Sequence, residues 1–126
     1  MPIIPEDADL RLHTERLRAF ARAREWEQFH TPKNLVMAIT VEAAELMEPL
    51  QWLTADEAEG LKDDAEARAE IGSEIADVAI YLIRLADVLG IDIGSAIASK
   101  IDRNEERFPV EVVRGKSRMP GVGLDP

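Results

Sequence analysis

The chain has 126 residues, 46% of them hydrophobic, and a formal charge of -10. That length suits one packed domain and not two, and the acidic balance excludes the broad Lys/Arg surface on which a nucleic-acid polymer is held; a single nucleotide stays within reach, because screening over roughly 8 Å leaves a local basic cluster or a metal in control of its own surroundings. Cysteine is absent, which removes disulfide frameworks, thiolate metal sites and Cys nucleophiles.

The N-terminal MPIIPEDADL has no basic segment ahead of an apolar run, and no stretch approaches the ~18 apolar residues of a membrane span. A cytoplasmic protein with no membrane partner is the expectation. The first helix is predicted from about Asp7 or Asp9 to Gln28, with Leu10, Leu17, Phe20 and Ala21 on a narrow stripe. Thr31 before Pro32 supplies an N-cap and a first helical residue for the second helix. That helix reads from Pro32 to Trp52, with Pro49 kinking or ending it. At about 100° per residue Leu35, Ile39, Leu46 and Leu50 share one face, and Glu42, from VEAAELMEPLQW, falls in the middle of it.

TADEAEGLKDDAEARAE is polar, carries Gly60, and reads as a loop entering a third helix near Asp63 or Asp64. On that helix Ile71, Ile75, Val78, Leu82, Leu85 and Leu89 lie on one face while Ile80 and Ile83 lie opposite. A helix apolar nearly all round is a buried one, which in so short a chain points to a second copy of itself. Gly90 serves as C-cap, and a fourth helix runs from Asp92 or Ser95 to Phe108 and Pro109. The expectation is an all-α fold, a four-helix bundle completed by oligomerisation. Its domain spans residues 1–109, and 110–126 form a tail, partly extended or flexible, with Val110 to Val113 as a short extended piece.

Two acid pairs carry the chemistry. Glu42 and Glu45 stand three apart on the second helix, Glu74 and Asp77 three apart on the third, a spacing that puts each pair on one helix face about 5 to 6 Å apart. Four carboxylates brought together repel, and each costs several kcal/mol when buried unpaired. A hard divalent cation relieves both, and Mg²⁺ suits all-oxygen sites shared with substrate phosphates. The ordinary alternative is that both pairs are solvated, in which case the chain is a non-catalytic acidic helical module that binds a partner. RGKS at Arg114 to Ser117 ends like a P-loop, but that motif requires Gly where Val110 stands. Glu27 and His30 make one E-x-x-H; a di-iron bundle needs a second, which His13 does not complete.

EAAE at Glu42 to Glu45 followed by EIAD at Glu74 to Asp77 resembles the E-x-x-E and E-x-x-D signature of the MazG-like, all-α nucleoside triphosphate pyrophosphohydrolases. REWEQFHTPKNL, EPLQW, EIADVAIYLIRLA and SKIDRNEERFPVEVVRG are similar to the dCTP pyrophosphatase branch, over most of residues 10 to 116. The resemblance implies cleavage of a (deoxy)nucleoside triphosphate, dCTP favoured, between the α and β phosphates to the monophosphate and pyrophosphate. It implies Mg²⁺ held by Glu42, Glu45, Glu74 and Asp77. Lys100 and Asn104 match positions near the phosphates and sugar, and Trp26, His30, Trp52 and Tyr81 match the pocket around the nucleotide. It also implies a homo-oligomer, a dimer or a dimer of dimers. Leu17 and Arg18 stand where branch members carry a His, and Phe108 where they carry a Tyr, departures that bear on base selectivity. Glu45, at the edge of its stripe, is the candidate general base.

Overall fold

A computed structural model describes residues 9–117. Six α-helices follow in order: α1 (Leu10–Ala23), α2 (Pro32–Met47), α3 (Ala55–Glu59), α4 (Ala65–Val88), α5 (Ile93–Arg107) and α6 (Val110–Val113), with a 3-10 turn at Gly60–Asp63 between α3 and α4. No strand occurs among the described residues. The all-α expectation holds. No described helix is long and apolar enough to cross a membrane. The chain divides into two compact units after Ile91.

In the first unit α4 is the central element, packed against α2, α1 and the 3-10 turn. Asp9 caps α1, its carboxylate accepting from the Arg11 N–H at 2.7 Å. α1 then stops at Ala23 and not at Gln28. The Glu25 and Trp26 N–H groups turn back to the carbonyls of Arg22 and Ala21, which closes the helix end with Glu25 in the left-handed region at φ 54°. Glutamate there is strained by roughly 1 kcal/mol. The turn brings the Trp26 ring edge-on to Phe20, with ring centroids 5.7 Å apart.

Thr31 caps α2 through the Asn34 N–H and Pro32 occupies the first turn, as the sequence indicates. The helix ends at Met47, two residues before Pro49. The polar segment predicted as loop contains α3, because Thr54 and Glu57 form a reciprocal capping box, Glu57 N–H to Thr54 Oγ1 at 3.1 Å and Thr54 N–H to Glu57 Oε1 at 2.9 Å. Asp64 caps α4, and Gly90, at φ 69°, ends it with Ile91 N–H bonded to the Ala86 carbonyl.

The core is small: Ala21, Leu35, Ile83 and Ala86 are buried. Within the single chain Ile83 on α4 is enclosed, while Ile75 and Leu82 are exposed. α1 and α2 cover only part of the circumference of α4, so an apolar face stays open. On α2, Val36, Met37, Val41 and Met47 are likewise at least half exposed.

In the second unit Asp92 caps α5 through the Ser95 N–H at 2.9 Å, and the helix ends at Arg107, close to the expected Phe108. The short piece expected to be extended is a turn of helix, α6. Pro109 provides an extended N-cap and its carbonyl accepts from the Val112 and Val113 N–H groups. The rest of the predicted tail, from residue 118, lies outside the described residues.

Candidate active site

Because α2 packs along α4, Glu42 and Glu45 come to face Glu74. Glu42, Glu45 and Glu74 each offer an oxygen within 4.8 Å of the others. Glu42 and Glu74 are half-buried and Glu45 is exposed. The Oε2 atoms of both Glu42 and Glu74 are shielded from solvent and have no hydrogen-bond partner. A carboxylate oxygen in that state has given up water without gaining a partner. This is the signature of a site shaped for something outside the protein.

The electrostatics agree. Burial pushes the Glu42 carboxyl above its ordinary value, followed by a carboxyl–carboxylate hydrogen bond and charge repulsion from Glu45, then by the charges of Asp77 and Glu74. Glu74 is raised too, by burial first and then by Glu45, Asp77, Glu48 and Glu70. No cationic side chain contributes to either shift. Asp77, half-buried one turn beyond Glu74, stands outside the trio of converging oxygens and acts on it through charge.

The donor set fits a hard divalent ion. It is all oxygen, comes from two rigid helices, and includes two shielded atoms with unsatisfied lone pairs. Glu42, Glu45 and Glu74 are the residues that could hold it.

Trp26 and His30 come together in the loop between α1 and α2, edge-on with centroids 6.4 Å apart. Backbone bonds from the His30 N–H to the Trp26 and Glu27 carbonyls hold this loop, as does Asn34 Nδ2 donating to the Phe29 carbonyl at 3.1 Å. Tyr81 lies one turn past Asp77 on the same flank of α4 and is half-buried. Trp52 is 87% exposed in the turn after α2. Lys100 and Asn104, one turn apart on α5, line a surface groove of ≈ 310 Å³ with Arg103, Glu106 and Arg107.

One group escaped the sequence reading. Arg84 is buried at 6% exposure, donating from Nε to His30 Nδ1 at 3.2 Å and from Nη1 to Asp87 Oδ2 at 3.2 Å. Asp87 also receives Arg18 through Nη2 at 2.6 Å and Nε at 3.0 Å. The Arg18 hydrogen bond holds the Asp87 carboxyl below its ordinary value, against an opposing effect of burial and with help from the Arg18 and Arg84 charges. His30 is lowered, by burial first and by Arg84 second. The available signal was an arginine set between Ile83 and Leu85 in the most apolar stretch of the chain, where a cation must find partners.

The sequence model of the MazG-like family matches residues 37–118. The chain is 41% identical over 107 residues to dCTP pyrophosphatase 1 of Mus musculus, covering 85% of this chain and 61% of that protein. It is 42% identical over 108 residues to dCTP pyrophosphatase 1 of Homo sapiens, covering 86% and 61%. It therefore spans about three fifths of the length of the curated relatives it matches. The structure is similar to the crystal structure of a pyrophosphatase from Archaeoglobus fulgidus, with a TM-score of 0.71 and 38% identity, covering 86% of this chain and 98% of that one.

Proposed function

The chain belongs to the MazG-like family, and on that premise we propose that it is a Mg²⁺-dependent pyrophosphohydrolase of deoxynucleoside triphosphates, dCTP or a modified dCTP foremost. The observation that carries the reading is the pair of shielded, unpartnered Oε2 atoms of Glu42 and Glu74 beside Glu45. Such a cluster repels itself in the absence of a cation. The likeness to dCTP pyrophosphatase 1 supports the substrate class.

Glu42, Glu45 and Glu74, with Asp77 one turn away, would hold the metal against the triphosphate. When bound, Mg²⁺ would offset the phosphate charge and ease deprotonation of the attacking water. Glu45 is the exposed member of the trio, and it is the residue we assign to orient the water and take its proton. In-line attack at the α-phosphorus requires positioning and charge stabilisation, and no nucleophilic side chain. Trp26, His30, Trp52 and Tyr81 would enclose the nucleoside, and Lys100 and Asn104 would take phosphate or sugar oxygens. The catalytic domain would cover residues 1–109.

The uncovered apolar residues of α2 and α4 support a homo-oligomer, a dimer or a dimer of dimers. An exposed Trp52 is consistent with a pocket wall completed on assembly.

Incubation of the protein with dCTP and Mg²⁺, with products resolved by chromatography, tests the reaction. dCMP and pyrophosphate in equal amounts are expected. dCDP with orthophosphate, or no turnover together with no Mg²⁺-dependent nucleotide binding, would overturn it.

A further inference from the structure

The bond between Arg84 and His30 has only one chemical sense. An arginine N–H donates and never accepts, so the 3.2 Å contact from Arg84 Nε requires a lone pair on His30 Nδ1. A neutral ring then carries its proton on Nε2. A cationic ring would set N–H against N–H and add a third positive charge beside Arg84 and Arg18, with Asp87 as the one acid in the chain of contacts.

Arg84 is itself firmly held. It is buried at 6% exposure, and its Asp87 partner is gripped from α1 by Arg18 through two bonds. Every link from α1 through α4 to the loop of His30 is thus a hydrogen bond with at least one charged partner, the stronger class. The groups that face His30 are Arg84 from α4 and the Trp26 ring from its own loop, with Asp87 and Arg18 behind Arg84.

The placement along α4 gives the bond its meaning. Asp77, Tyr81 and Arg84 fall within about 60° of one another around the helix at 100° per residue, and Arg84 lies about 10 Å beyond Asp77 along the axis. Arg84 therefore springs from the flank of α4 that carries Asp77 and Tyr81, about two turns further along, and from there it reaches His30.

We infer that Arg84 is a positioning residue that locks His30 as the neutral Nε2–H tautomer, so that the ring offers the nucleoside a hydrogen-bond donor and recognises an acceptor atom on the base edge. This rests on the reading of His30 as part of the nucleoside pocket. A pyrimidine carbonyl or ring nitrogen is the matching acceptor. Arg18 and Asp87 act through Arg84.

Nitrogen-15 NMR of the histidine rings tests the lock directly, because only His13 and His30 are present and a His30→Phe variant assigns the signals. The wild-type ring is expected to show a proton on Nε2 and none on Nδ1 at neutral pH; a proton on Nδ1, or a cationic ring, overturns the inference even if no Arg84 variant folds. Kinetics with dCTP and Mg²⁺ test the consequence. Arg84→Met, which removes the donor but keeps the length, is expected to raise KM about tenfold with little change in kcat. It should add nothing further in the His30→Phe background. Effects that multiply in the double variant would make Arg84 a packing residue and overturn the inference. An unchanged KM in His30→Phe alone would instead sink the nucleoside role of His30, while dCMP and pyrophosphate formation would still stand as a separate result.

Discussion

Glu42 on α2 and Glu74 on α4, 32 positions apart in the chain, each hold one carboxylate oxygen out of solvent with no hydrogen-bond partner, on either side of a space that Glu45 also reaches. Two helices that spend packing on such an arrangement are stabilised by whatever enters between the acids. The consequences are measurable on the protein with and without metal.

Glu42→Gln removes a metal ligand and one of the repelling charges together. Turnover of dCTP is expected to fall about 10²-fold or more, while in the presence of a chelator the melting temperature rises. Steady-state assays and thermal melts on one preparation check both. A variant that keeps wild-type turnover would remove Glu42 from the mechanism.

Mg²⁺ should stabilise the wild-type fold, because binding to the folded state alone adds about 2.7 kcal/mol when the free ion is a hundredfold above its Kd. A chelator should reverse the shift. Glu74→Gln should blunt it, since the shielded oxygen of Glu74 is one of the two that lack partners. Equal shifts in wild type and variant would place the ion elsewhere.

Asp87 and Arg18 are expected to contribute unequally, although they share one ion pair. Asp87→Ala leaves the Arg84 guanidinium buried beside no acid and should cost about 3 kcal/mol or more. Arg18, with a side chain 47% exposed, should cost much less when replaced by alanine, because solvent screens its charge. Urea unfolding of the two variants measures the contrast.

Acidification should act on the metal-free protein in two opposing ways. The His30 pKa is lowered on folding, so the unfolded chain takes the proton first and stability is lost as pH falls from about 6.5 through the folded value. Glu42 and Glu74 are raised on folding, so their part is fully present below the ordinary carboxylate value and is lost as pH rises through their folded values. Unfolding curves across this range should therefore separate by variant. His30→Phe loses the decline on the acid side of neutrality, and Glu42→Gln loses the Glu42 share of the gain while Glu74 keeps its own. Identical pH profiles in wild type and His30→Phe would show that the ring titrates as it does in the unfolded chain.

Local order was legible in the residues because local rules act over a few positions. Thr31 and Pro32 start α2, Asp92 starts α5, and Gly90 follows α4 as its spacing required. The acid pairs could be named from a separation of three, and their kinship to a known signature from the residues around them. The end of α1 was not legible, since Glu25 adopts a left-handed conformation that few side chains choose unless packing, here Trp26 against Phe20, holds it. α3 was missed because Gly60 and a polar run outweighed its capping box.

The sequence by itself thus determined the existence of the four long helices, the spacing of the carboxylates on α2 and α4, and the nearly all-round apolar character of α4. Tertiary structure alone decided which acids meet, which oxygens lose solvent, and which face of α4 is dry. It alone joined Arg84 to His30 across 54 positions and Arg18 to Asp87 across 69. The physical reason is range. Capping and helical periodicity are settled by neighbours along the chain, whereas desolvation and charge pairing depend on which helices happen to lie side by side.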